Sequence, residues 1–172
     1  MKENFDKALS LLLKHEGGYV DNKADRGGET NFGISKKSYP NEDIKNLTIE
    51  RAGEIYKKDY WRPMKCDDLP SGIDFLIFDF GVNSGTGTAI KTLQRALNRY
   101  GCNLACDGYI GKRTLANVGE LGRSIIPDLL NERRIFYDKV IQNDPSQERF
   151  SRGWMNRVDN LAIEVKEFIK EG

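Results

Sequence analysis

Glu16 is the residue whose position promises chemistry. Phe5, Ala8, Leu9, Leu12, Leu13 and Glu16 recur at the spacing of one helix face, so an apolar stripe ends on a carboxylate. Apolar neighbours disfavour the charged form. The Gly17-Gly18 pair that stops the helix also leaves Glu16 beside the partly negative carbonyl end. Both effects keep the proton on. A carboxylic acid held protonated near neutral pH can protonate a leaving-group oxygen, a step that contributes about 10²–10⁴-fold in rate. The competing reading is a last-turn glutamate that bends out to water, as most glutamates do. His15, the only histidine in the chain, reads as a packing or surface group rather than a proton relay.

Oxygen-bearing side chains follow closely. Eight residues separate Glu16 from Asp25 and four separate Asp25 from Thr30, with Gly-Gly pairs at 17–18 and 27–28 and the run Thr30-Asn31-Phe32-Gly33-Ile34 at the end. This layout resembles the phage-type lysozymes, in which a helix-ending Glu leads into a small β-hairpin carrying an Asp and a Thr. The longer string Glu16-Gly17-Gly18-Tyr19, Asp25, Gly27-Gly28, Thr30, Phe32-Gly33-Ile34-Ser35 more specifically resembles the N-acetylmuramidases of glycoside hydrolase family 108, found in phage endolysins and bacterial genomes. The resemblance implies a mainly α, lysozyme-like helical bundle with a small β-hairpin after the first helix.

It also implies an activity: cleavage of the β-1,4 bond between N-acetylmuramic acid and N-acetylglucosamine, with Glu16 protonating the glycosidic oxygen. A second group must then act as nucleophile or as base for a water. Asp25 is the first choice, with Thr30 orienting the water or the carboxylate, and Asp21 and Glu29 stand as alternatives. Tyr19 would wall the cleft, and Phe32, Asn83, Ser84 and Tyr109 are the further candidates for contact with the glycan. No metal and no cofactor are implied, since one His and scattered carboxylates make no ligand set.

The elements that must hold these residues are mostly helices. Asn4 or Asp6 is expected to cap the first, and residues 17 to 34 have room for one short hairpin. Ser35 to Tyr39 reads as a turn before Pro40-Asn41. Thr48 reads as the N-cap of a helix through Trp61, with Ala52, Ile55, Tyr56 and Tyr60 on one face, ended by Arg62-Pro63. Pro70 opens a helix from Ser71 to Asn83 that is apolar nearly all round, which predicts the centre of the bundle. Asn83-Ser84-Gly85 ends it. In the resembling family a similar segment borders the sugar cleft, while on its own physics it is equally a helix stop with Ser84 or Thr86 capping the next helix.

Ala89, Ile90, Leu93, Ala96, Leu97 and Tyr100 form the stripe of a helix from Thr86. The segment from Leu93 through Asp107-Gly108-Tyr109-Ile110-Gly111-Lys112-Arg113-Thr114 is similar to short helical modules that bind peptidoglycan. Taken as local chemistry it is a structural loop, with Thr114 able to cap the next helix. Ser124 is expected to cap a helix from Ile125 to Asn143 with Pro127 in its first turn, stopped by Asp144-Pro145-Ser146. In the last helix Trp154, Val158, Leu161, Val165 and Phe168 make an apolar seam. The Phe150-x-x-Gly153-Trp154-x-x-Arg157 element recurs in the resembling family, and by itself reads as a Trp anchor with surface arginines. The expected division is a catalytic lobe over 1–92 and a peptidoglycan-binding-like lobe over 93–172, packed as one unit.

Composition narrows the classes. With 172 residues and 38% hydrophobic content the chain can bury a core. Its +1 charge, from 27 basic and 26 acidic residues, argues against a dedicated nucleic-acid binder. No apolar stretch approaches the roughly 20 residues of a membrane span, and Leu9 to Leu13 is too short for a signal-peptide core. The expectation is a monomer that is cytoplasmic as synthesised and reaches peptidoglycan glycan strands after release or holin-type export. Cys66, Cys102 and Cys106 read as free thiols, with a Cys102–Cys106 bridge open to an oxidising compartment. Two rivals to a hydrolase stand: a lytic transglycosylase, which shares the acid and not the water step, and a wall-binding or secretion-assisting protein without activity.

Overall fold

The computed structural model describes residues 2–21 and 28–170. Helix α1 (Lys2–His15) leads into a three-stranded antiparallel sheet of β1 (Val20–Asp21), β2 (Glu29–Asn31) and β3 (Ile34–Ser35). Helices α2 (Ile49–Tyr56), α3 (Ile73–Ser84), α4 (Thr86–Asn98), α5 (Lys112–Leu121), α6 (Ile126–Asn143) and α7 (Ser151–Lys170) follow. The fold is mainly α with a small sheet after the first helix, one strand more than a single hairpin. Val20 pairs with Thr30, and Thr30 with Ser35. The β2–β3 turn holds Phe32 and Gly33 at φ 51° and 78°, the left-handed region that a tight turn requires.

The predicted central helix is central. Every residue from Ile73 to Gly81 is buried. Phe78 meets Phe5 of α1 and Trp61 edge-on, at 5.8 and 5.3 Å, while Phe75 stacks on Phe168 of α7 at 5.0 Å. Phe80 packs on Phe136 and Tyr137 of α6. Each such ring contributes about 1.5–3 kcal/mol by leaving water, so α3 is where the burial of four elements converges. Trp61 reaches this core because α2 continues as a wider π turn over Lys57–Trp61, and its indole N–H donates to Asp67 at 3.0 Å.

Thr48 caps α2 as expected, accepting from the Arg51 amide at 3.1 Å. The other expected caps are corrected. Helix α1 begins at Lys2, ahead of both Asn4 and Asp6, and Asn4 instead reaches across to donate to Asp74 at 2.7 Å. Gly85 and Gly111, not Ser84, Thr86 or Thr114, occupy the N-cap positions of α4 and α5, and Thr114 is buried inside its helix. Ser124 lies in a short 3₁₀ turn, where its hydroxyl donates to the Leu121 carbonyl. Tertiary packing, and at Gly85 a backbone φ of 89° that suits glycine, outweigh the fraction of a kilocalorie to about 2 kcal/mol that a side-chain cap contributes. Cys66 is buried, Cys102 and Cys106 are half-buried, and all three are free thiols. No helix among the described residues is long and apolar enough to cross a membrane.

Candidate active site

The apolar stripe of α1 places Leu12 wholly inside, and the Glu16 amide still donates to the Leu12 carbonyl at 3.1 Å. Glu16 therefore leaves the helix from its core-facing side, half-buried, just before Gly17 and Gly18 free the chain. Its carboxyl lies in a cradle formed by the β2–β3 turn and α2. A Cβ at Gly33 would come within 2.6 Å of Glu16 Oε2 and 2.7 Å of the Tyr56 hydroxyl. Tyr56 donates to the Phe32 carbonyl at 2.7 Å, fastening the turn to α2. A glycine at this position lets the backbone approach the acid.

Burial is the largest influence on Glu16 and pushes its carboxyl above the usual range. Arg157 opposes that shift, Asp79 adds to it, and His15 opposes it more weakly. Glu16 borders two hollows. The larger, about 790 Å³, is mostly apolar and runs between α1, the β2–β3 turn and α2, with Leu9, Leu13, Phe32, Gly53 and Lys57 on its walls. The smaller, about 310 Å³, is polar and is walled by His15, Asn83, Tyr137, Trp154, Asn156 and Arg157.

A buried charge network shapes the polar hollow from behind. Asp79, on α3 and without solvent exposure, accepts from Arg133 Nη1 at 2.7 Å and pairs with Arg157 through Oδ2. Burial alone would raise the Asp79 carboxyl, and the two guanidinium groups overcome it and hold the carboxyl below its usual range. Arg133 also donates to the Tyr137 hydroxyl at 3.2 Å, and Tyr137 donates to Asn83 Oδ1 at 2.7 Å. Trp154 stacks on the Tyr137 ring at 4.8 Å. Three walls of the hollow, Arg157, Tyr137 and Asn83, are thus set by one carboxylate that never touches it.

The expected site residues fall into groups. Asn83 borders the polar hollow and Phe32 the apolar one. Thr30 is half-buried in β2, and strand alternation sets it opposite to Asn31, which is buried and donates to the Ile44 carbonyl at 3.1 Å. Asp25 lies outside the described residues. Of its two alternatives, Asp21 is exposed, and Glu29 accepts from the Tyr19 hydroxyl at 3.1 Å. Tyr19 is exposed and borders neither hollow. Ser84 donates to Asn83 Oδ1 at 2.9 Å. Tyr109, 64% exposed, borders neither hollow and has the Lys65 ammonium over its ring. Its loop is pinned by Gln94, which donates to Asp107 and to the Tyr109 carbonyl and accepts from the Gly108 amide.

His15 is a packing group: its Nε2 meets Glu164 Oε1 of α7 at 2.8 Å while the ring walls the polar hollow. Trp154 and Arg157 are more than an anchor and a surface cation, because both face that hollow with Glu16. The sequence assigns Asp79 no role of its own. Its only sequence signal is a carboxylate inside a largely apolar run that also holds Asp74.

Two family models match the chain in succession. The family model described as Glycosyl hydrolase 108 matches residues 9–85, which hold Glu16, the sheet and α3. A second model, described as Predicted Peptidoglycan domain, matches residues 88–159. No curated protein matches. The solved structure of SagA from Brucella abortus is similar over nearly the full length, with 32% sequence identity and a TM-score of 0.81, covering 98% of this chain and 97% of that one.

Proposed function

The chain belongs to the glycosyl hydrolase 108 family, and from that premise we propose that it is an N-acetylmuramidase, cleaving the β-1,4 bond between N-acetylmuramic acid and N-acetylglucosamine in peptidoglycan. The observation that carries this reading is Glu16: a half-buried carboxyl with a raised proton affinity, standing where a polar and an apolar hollow meet. A glycan strand lying along those hollows would present its bridging oxygen to a proton donor. As the bond to that oxygen breaks, the sugar develops oxocarbenium character and Glu16 becomes a carboxylate. Arg157, which already acts on Glu16, offsets the charge that then appears.

We assign the second role to Asp25, as nucleophile or as base for a water, with Thr30 orienting it. Separation decides between the two: about 5–5.5 Å between carboxyl groups suits retention, and about 6.5–9.5 Å leaves room for water and inversion. In this reading residues 1–92 form the catalytic lobe, and residues 93–172 the lobe that holds the wall.

The test is a digest of purified sacculi by the parent protein and by Glu16→Gln, read by mass spectrometry. The reading expects muropeptides with a reducing N-acetylmuramic acid end from the parent and none from the variant. Ends lighter by one water would make the protein a transglycosylase. Binding without any release of fragments would leave a wall-binding protein.

A further inference from the structure

A further hollow, about 290 Å³, lies between α4 and α6 and has no part in the chemistry above. Lys91 and Arg95 of α4 and Lys139 of α6 stand around it, and Ile135 and Val140 give it an apolar side. The carboxylate it contains, Glu132, is already spoken for. Arg99 approaches Glu132 Oε1 with Nε at 2.8 Å and Nη2 at 2.7 Å, and Arg95 is a looser partner at 3.4 Å from Oε2. Lys91 and Lys139 are exposed and make no hydrogen bond or ion pair among the described residues; Asp107 acts on Lys91 only at longer range. Asp107 is itself satisfied by Gln94 and the Tyr109 amide. The hollow therefore carries surplus positive charge beside aliphatic surface.

We propose that this hollow binds the acidic stem peptide of peptidoglycan. The inference rests on the substrate read above and adds where its peptide goes. A stem peptide offers carboxylates, from D-glutamate and from its C-terminal end, interspersed with alanine methyl groups. Those features match three cations around Ile135 and Val140. Helix α6 lends Tyr137 to the Glu16 hollow and Lys139 and Val140 to this one, so a single helix joins the two. The hollow also lies within the residues matched by the peptidoglycan domain, which gives that stretch a definite contact surface.

The experiment uses full-length Glu16→Gln protein, isotope-labelled, titrated by NMR with a synthetic stem tetrapeptide of L-alanine, D-glutamate, a diamino acid and D-alanine. Expected are shifts gathered on α4 and α6 around the hollow, and an affinity at least tenfold weaker when Lys91→Glu and Lys139→Glu are combined. Lys91→Arg with Lys139→Arg should retain binding, which separates charge recognition from misfolding. Shifts elsewhere, or equal affinity in the charge-reversed protein, overturn the proposal. N-acetylmuramic acid, whose free lactyl carboxylate is the other source of negative charge, is the control; equal shifts at the hollow from that sugar alone also overturn it. The two readings fail separately. Loss of the glycosidase assignment would show in the sacculus digest, and loss of this one in the peptide titration.

Discussion

Two carboxyl groups taken out of water by the same core behave in opposite ways. Glu16, at the end of α1, and Asp79, in the middle of α3, both bear the desolvation penalty of burial. Asp79 meets two guanidinium groups directly and keeps its charge. Glu16 feels one of those groups only through the polar hollow and holds its proton more tightly than an ordinary glutamate. The difference lies in partners rather than in depth. An acid that must give up a proton is left half-served, and the carboxylate that organises the walls around it is fully served.

The largest expected effect follows from removing the half-served group. Glu16→Gln should lower sacculus hydrolysis by about 100-fold or more, measured as muropeptide release, with helix content by circular dichroism unchanged. The same substitution should raise Tm at neutral pH. A raised carboxyl contributes stability only below its unfolded pKa and loses it as pH rises through the folded value, so the charged Glu16 is a cost near pH 7.

Removing the fully served group should act on the fold. Asp79→Asn leaves Arg133 and Arg157 facing each other without their anion, at a cost of about 3–5 kcal/mol, checked by denaturant unfolding. The pH dependence has the opposite sign to that of Glu16. The stability due to Asp79 is present above its unfolded pKa and is lost as pH falls through the depressed folded one.

A smaller effect sharpens the role of the cradle. Gly33→Ala puts a methyl group against the Glu16 carboxyl at a left-handed backbone position, so it should cost about 1–2 kcal/mol and about tenfold in rate by displacing the acid. The remaining prediction is read in the pH profile. Arg157→Lys keeps a cation and should preserve the alkaline limb of the activity. Arg157→Gln removes the main influence that lowers Glu16, and should move that limb to higher pH.

What the sequence shows and hides follows the same contrast. The stripe of α1 ending on Glu16 and the seam of α7 are local and were legible from spacing because burial follows helical period, and the run of α3 was legible because it is apolar nearly all round. Asp79 was not, because its partners stand 54 and 78 residues away and no local pattern names them. Arg157 looked like a surface cation for the same reason. The caps misled in the other direction: Ser124 and Thr114 have the right residue type, but the helices start after Ile125 and Gly111, where packing sets them.

The central claim is that Glu16 keeps its proton to a higher pH than a free glutamate and gives it to the glycan. Titrating the Glu16 side-chain carboxyl by carbon-13 NMR in the folded protein tests it at the atom concerned. The account predicts a midpoint above the ordinary 4.5, coinciding with the alkaline limb of the activity in the free enzyme. A midpoint at or below that value, with activity undiminished where Glu16 is fully ionised, would contradict it.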